Sequence, residues 1–230
     1  MKLRVFESAG GLASELAARI RTELAGSGPS AAVMLAGGRT PLSAYGMLAS
    51  APLPAGCRAR VFLSDERMVP SDSPDSNAFQ IGPLLRAAGL ADDRFLRVDT
   101  GGSIESAADG FHLALAGLLE AGVRIPFGIL GVGADGHTAS LFRRADVEAA
   151  RGGDRLAIPV RKPQPPDRIS TTPRLLHRVE DLVFVVTGAD KAAIVRTLLA
   201  EPGTIPAGMA VDGHPRVSIW TDRAAAPGGG

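Results

Sequence analysis

Short apolar runs alternate with longer stretches of helical period along this chain, and that alternation sets the predicted architecture. Strands are predicted at Leu3 to Phe6, Ala31 to Leu35, Arg60 to Leu63, Phe95 to Val98, Phe127 to Gly131, Leu182 to Thr187 and Arg216 to Trp220. Several are apolar throughout, as strands covered by helices on both faces are. Helices are predicted at Gly11 to Ala25, Pro41 to Ala49, Asn77 to Ala88, Ser103 to Ala121, Thr138 to Phe142 and Asp190 to Leu199. In the first of these, Leu12, Leu16, Ile20 and Leu24 form one apolar stripe while Glu15, Arg19, Arg21 and Glu23 fall elsewhere. Thr40 before Pro41, and Asp190 before its apolar run, read as N-caps. The whole pattern predicts an α/β fold with a mostly parallel sheet and helices on both faces.

Composition narrows the class. Apolar residues make up 45% and charged residues 21%, a packed globular balance. The 25 Lys and Arg against 24 Asp and Glu leave a net charge of +1, which argues against a nucleic-acid-binding or basic membrane-surface protein. A single cysteine, Cys57, excludes an intramolecular disulfide and suits a cytosolic chain. No run approaches the ~18 apolar residues that span a bilayer, and the opening MKLRVFESAGG lacks a signal's apolar core. No repeat or long linker divides the sequence, so residues 1–223 read as one domain and 224–230 as a disordered tail. The stretch Pro159 to Pro166 reads as an extended loop.

Candidate chemistry gathers where strands run into loops, the ligand-binding end of an open α/β sheet. In AAVMLAGGRTPL, Gly37 and Gly38 permit close backbone approach, and Arg39, Thr40 and the free N–H groups of the following helix suit a phosphate. Walker A spacing is missing. In VFLSDERMVPSDSPDSN, Asp65, Glu66 and Arg67 crowd three charges at one junction, and Asn77 reads equally as a helix cap. In PFGILGVGADGHTASLF, Gly131, Gly133 and Gly136 spell GxGxxG, but Asp135 would face a pyrophosphate, which disfavours a dinucleotide. What remains there is a candidate base, His137, with Asp135 to hold its tautomer. The alternative is an Asp135 cap and a solvent-facing His137. His112, His177 and His214 have no metal-ligand spacing, so no metal is implied. Lys191, after the strand ending at Thr187, is a phosphate-ligand candidate, and Lys162 and Arg168 flank the Pro-rich loop.

Together these segments resemble the 6-phosphogluconolactonase family. The matching stretches are GGRTP at 37–41, SDERMVPSDSPDSN at 64–77, GVGADGHTASLF at 131–142, RKP with DRIS at 161–170, and PRVSIWTD at 215–222. The resemblance implies a Rossmann-like, doubly wound sheet and a cytoplasmic, cofactor-free hydrolase in the oxidative pentose phosphate pathway. Its substrate would be a phosphorylated sugar lactone, with His137 as base, Asp135 orienting it, and Gly37, Gly38, Arg39, Thr40, Arg67, Lys162, Arg168 and Lys191 binding substrate around one crevice. Glucosamine-6-phosphate deaminases share the superfamily. They typically carry Tyr where Arg67 stands and Asn-Glu-Pro beyond the histidine, where this chain has Ser140, Leu141 and Phe142. Departures from the lactonase pattern are Arg143 and Arg144 in place of Pro-Gly, and Thr171 in place of a common Leu.

Overall fold

The computed structural model describes residues 1–26, 31–50, 59–87, 89–90 and 94–228; Cys57, the predicted helix end at Ala88 and residues 229–230 lie outside them. The chain order is β1 (Lys2–Phe6), α1 (Ala9–Gly26), β2 (Ala31–Leu35), α2 (Arg39–Ala49), β3 (Arg60–Leu63), β4 (Asp65–Arg67), α3 (Asn77–Ala87), β5 (Phe95–Leu96), α4 (Ile104–Glu120), β6 (Arg124–Leu130), α5 (Arg144–Arg151), β7 (Ala157–Val160), β8 (Arg168–Thr171), α6 (Pro173–Leu176), β9 (Leu182–Val186), α7 (Ala192–Ala200), α8 (Pro206–Ala210) and β10 (Val217–Asp222). Seven strands form a parallel sheet in the order β1-β10-β9-β6-β2-β3-β5. A small antiparallel sheet, β4-β8-β7, stands beside it.

Side-chain alternation along each strand feeds two cores. Val33 and Leu35 of β2 join Leu12, Leu16 and Ile20 of α1, Tyr45 of α2 and Ile81 of α3 on one face. Ala32 and Met34 point the other way, into a core with Phe111 and Leu115 of α4, Val147 of α5 and Val195 of α7. The mostly parallel sheet with helices on both faces expected from the pattern, and the doubly wound order implied by the resemblance, are the arrangement observed. Chain order reverses direction between β2 and β6, so the loops leaving β2, β3, β6 and β9 converge there, as ligand-binding crevices of such sheets do.

Several local expectations need correction. Residues Thr138 to Phe142 are not a helix: Ala139 has φ +46° and Thr138 bridges Leu141 across a tight turn. Thr138 and Ser140 turn inward, giving their hydroxyls to Gly131 O and Asp65. Thr40 lies inside α2, whose N-cap is Gly38, and Asp190 lies inside a short 3₁₀ turn capped by Gly188. The two cap glycines have φ +103° and +98°, a region that side chains avoid. Part of the Pro-rich stretch is strand β7. The segment after Arg223 turns back on the fold through residue 228, with Ala225 buried and its N–H donated to Asp222. No helix among the described residues is long and apolar enough to cross a membrane.

At the amino end of the strands, a cavity of about 660 Å³ is lined by Lys2, Asp181, Asp212, His214 and Arg216 among others. Several of its polar groups are engaged: Arg216 pairs with Asp181 at 3.6 Å, and the His214 ring bonds Val179 O at 2.8 Å and the Arg216 N–H at 3.1 Å. Burial lowers the pKa of His214, its Val179 bond opposes this, and neighbouring His177 adds to the lowering. The unfolded chain therefore takes up a proton at this residue before the folded one does, and stability falls as pH drops below about 6.5. Urea midpoints at about pH 7 and pH 5 should differ less in His214→Gln than in the wild type; an equal difference would remove His214 as the cause.

Candidate active site

The loop after β6 is shaped around the His137–Asp135 pair. Asp135 Oδ1 lies 2.5 Å from His137 Nδ1 and also accepts the His137 main-chain N–H at 3.3 Å. A Cβ at Gly133 would sit 2.1 Å from His137 Nδ1 and 2.4 Å from Asp135 Oδ1, so only glycine leaves room for the pair. Gly133 and His137 close the turn with a main-chain bond of 2.9 Å. Phe142 packs against the imidazole at 4.7 Å between ring centroids, and Lys162 Nζ lies 4.5 Å from the Phe142 centroid. Partial burial pushes the Asp135 carboxyl up, but the bond and charge of His137 together outweigh it and hold its pKa below the ordinary value. An ionised carboxylate on Nδ1 fixes the tautomer and leaves Nε2 to exchange a proton.

Two adjoining cavities meet at Gly37, Gly38, Gly131 and Val132. The smaller, about 210 Å³, is also lined by Ser64, Asp65, Arg67, Asn77 and His137. The larger, about 700 Å³, carries Arg39, Thr40, Thr187, Gly188 and Lys191. Thr40 and Thr187 hydroxyls bond at 2.8 Å, joining the loops after β2 and β9 across the end of β6. Lys191 Nζ reaches Val132 O at 3.2 Å, and Gly188 N–H is held by Asp222 at 3.1 Å. A cation, a hydroxyl and two helix starts around one cavity suit a phosphate.

Glu66, one of the three charges at this junction, is buried and structural. Its carboxylate accepts the N–H groups of Arg67, Asn77 and Ala78, each at 2.7 Å, and the Ser76 hydroxyl at 3.2 Å. Burial raises its pKa, while the main-chain donors pull it back. Arg67 stands opposite Arg168 in the β4–β8 pairing, a like-charge pair that favours an anion nearby. Burial, then the charge of Arg67, lowers the pKa of Arg168. Arg168 lines neither cavity; its guanidinium is turned to Pro166 O and Asp167 O. Lys162 lines a separate groove with Pro165, Pro166 and Met68, beside Phe142. The expected ring of cations is thus divided, with Arg67 beside His137, Arg39 and Lys191 in the larger cavity, and Lys162 and Arg168 outside both.

The profile of the family described as glucosamine-6-phosphate isomerases/6-phosphogluconolactonase matches residues 6–220. The chain belongs to that family. It is 36% identical over 199 residues to a 6-phosphogluconolactonase of Pseudomonas aeruginosa, covering 84% of this chain and 82% of that one. The 6-phosphogluconolactonase structure from Thermotoga maritima superposes with a TM-score of 0.80 at 29% identity, covering 96% and 98% of the two chains. A monomeric glucosamine-6-phosphate deaminase shares the fold, with a TM-score of 0.76 at 20% identity, covering 98% of each chain. Fold alone therefore does not separate the two activities of the family, and the site residues have to.

Proposed function

We propose that this protein hydrolyses 6-phospho-D-glucono-1,5-lactone to 6-phospho-D-gluconate, a cytoplasmic step of the oxidative pentose phosphate pathway. The observation that carries the reading is the 2.5 Å Asp135–His137 contact at a small cavity that adjoins a larger, cationic one. Water attacks the lactone carbonyl carbon while His137 Nε2 takes its proton. The carbonyl oxygen becomes an oxyanion, for which Arg67 is the cation sharing the cavity with His137. Collapse breaks the bond from the carbonyl carbon to the ring oxygen, and the imidazolium returns the proton to that oxygen. Asp135 stabilises the imidazolium throughout. Gly37, Gly38, Arg39, Thr40 and Lys191 take the phosphate, and Lys162 and Arg168 add positive charge at the rim.

Acid release from freshly prepared lactone, corrected for spontaneous opening, tests the reading; no acceleration at high protein concentration would overturn it. Ammonia release from glucosamine 6-phosphate would point to the family's other activity. Lys191→Ala should raise KM for the phosphorylated lactone about 10- to 100-fold, the loss of one charge-assisted hydrogen bond, with little change in kcat. Unchanged KM in a folded variant would remove Lys191 from the phosphate site.

A further inference from the structure

The smaller cavity contains two acceptors that the hydrolytic steps leave unused. Asp65 is set at its wall by two neutral donors, with Ser64 Oγ at 3.0 Å from Oδ1 and Ser140 Oγ at 2.7 Å from Oδ2. A carboxylate has about four acceptor positions, so each oxygen keeps capacity for a further donor. A negative charge is an unexpected choice beside a substrate that is itself anionic, unless the substrate brings hydroxyl donors to meet it.

Asn77 is the second acceptor. It is not spent on capping α3, because Ser76 Oγ accepts the Phe79 N–H at 3.1 Å and Glu66 takes the N–H groups of Asn77 and Ala78. Its side chain is only 2% exposed as a residue, and Nδ2 donates to Asp65 O at 3.0 Å, which fixes the amide orientation. Oδ1 has no hydrogen-bond partner among the described residues. A buried carbonyl without a donor is costly, and such groups mark places where a ligand or water completes the bonding. Gly37 gives this amide its place: a Cβ there would lie 2.5 Å from Oδ1 and 2.6 Å from Cγ. Both residues line the same small cavity as His137.

We propose that Asp65 and Asn77 form an acceptor wall that binds the substrate's ring hydroxyls on C2 and C3, making the site selective for a polyhydroxylated lactone. This rests on the lactonase reading. With the carbonyl carbon at His137 and the phosphate in the larger cavity, ring oxygen, C5 and C6 connect the two cavities; of the remaining carbons C2, C3 and C4, it is C2, bonded to the carbonyl carbon, and C3 beside it that lie nearest the wall of the His137 cavity. Sites built to hydrogen-bond a hydroxyl discriminate strongly against analogues that lack it.

The test is kcat/KM for 6-phosphogluconolactone and its 2-deoxy and 3-deoxy counterparts, measured on the wild type, Asp65→Asn and Asn77→Ala. The wild type should hydrolyse at least one deoxy lactone about 10- to 100-fold less efficiently, chiefly through KM. Asp65→Asn should lose a similar factor on the parent lactone and almost nothing further on that deoxy lactone, and Asn77→Ala should behave likewise. Equal wild-type efficiency on all three lactones overturns the proposal whether or not the variants fold. So does an Asp65→Asn loss of kcat that is the same on all three, the signature of a proton-transfer or purely structural role. Absence of wild-type activity on the parent lactone overturns the lactonase reading and this one with it. Activity without discrimination overturns this one alone.

Discussion

His137→Ala should lower kcat for lactone hydrolysis by about 10²- to 10⁴-fold, the usual contribution of a positioned acid or base. The ring is held on several sides: Nδ1 by Asp135, one face by Phe142, and the turn below by Gly133, which no larger residue can replace. The proposed proton acceptor is thus held by the protein's own contacts, and its removal should act on the reaction step more than on binding. KM should change little, since the cavity with Arg39, Thr40 and Lys191 is untouched. The bond and charge of His137, outweighing partial burial, hold the pKa of Asp135 below its ordinary value, which favours the charged carboxylate that the pair needs. Stopped-flow or pH-stat rates on the purified variant decide the matter. Wild-type kcat in a folded His137→Ala protein would show that another group handles the proton.

Glu66→Gln should destabilise the protein by about 3 kcal/mol, the scale of losing charge-assisted bonds to a buried carboxylate. Every group around that side chain is a donor, namely the N–H of Arg67, Asn77 and Ala78 and the hydroxyl of Ser76. A glutamine amide offers one oxygen and one NH₂, so its donor end must meet other donors. For a domain of this size the loss corresponds to a melting point lower by about 6 to 12 °C. Thermal or urea unfolding measures it, and a shift under about 1 kcal/mol, the size of ordinary surface changes, would contradict the assigned role. Activity should suffer too, because the same carboxylate sets the start of α3 and with it Asn77.

Much of this was written locally in the sequence. Apolar runs such as Ala31 to Leu35 and Leu182 to Val186 became central strands, since burial on both faces demands continuous apolarity. The glycines of GVGADGH marked a strand mouth because the histidine pair needs the room beside Gly133. The small sheet was not legible. Asp65 to Arg67 and Arg168 to Thr171 are short and polar, and they are strands because they pair with each other across the chain. The turn at Thr138 to Phe142 is set by bonds from its polar residues to distant partners, Ser140 with both Asp65 and Ser170. Periodicity carries no trace of such partners. Separation of the cations into different cavities likewise depends on tertiary placement, as does the sparing of Asn77 by Ser76 and Glu66.

Among the described residues β1 has one sheet neighbour, β10, and the Lys191 loop is anchored to Asp222 at the end of that same strand. Residues 2–6 therefore leave the ribosome long before residues 217–222 exist, an interval of roughly 10 to 40 seconds at ordinary rates of synthesis. Through that interval Leu3 and Val5 have no strand to pair with, and the Lys191 loop lacks its contact with Asp222. Completion of the sheet and completion of the pocket are consequently one late event in biogenesis, and a nascent chain stalled before β10 has neither.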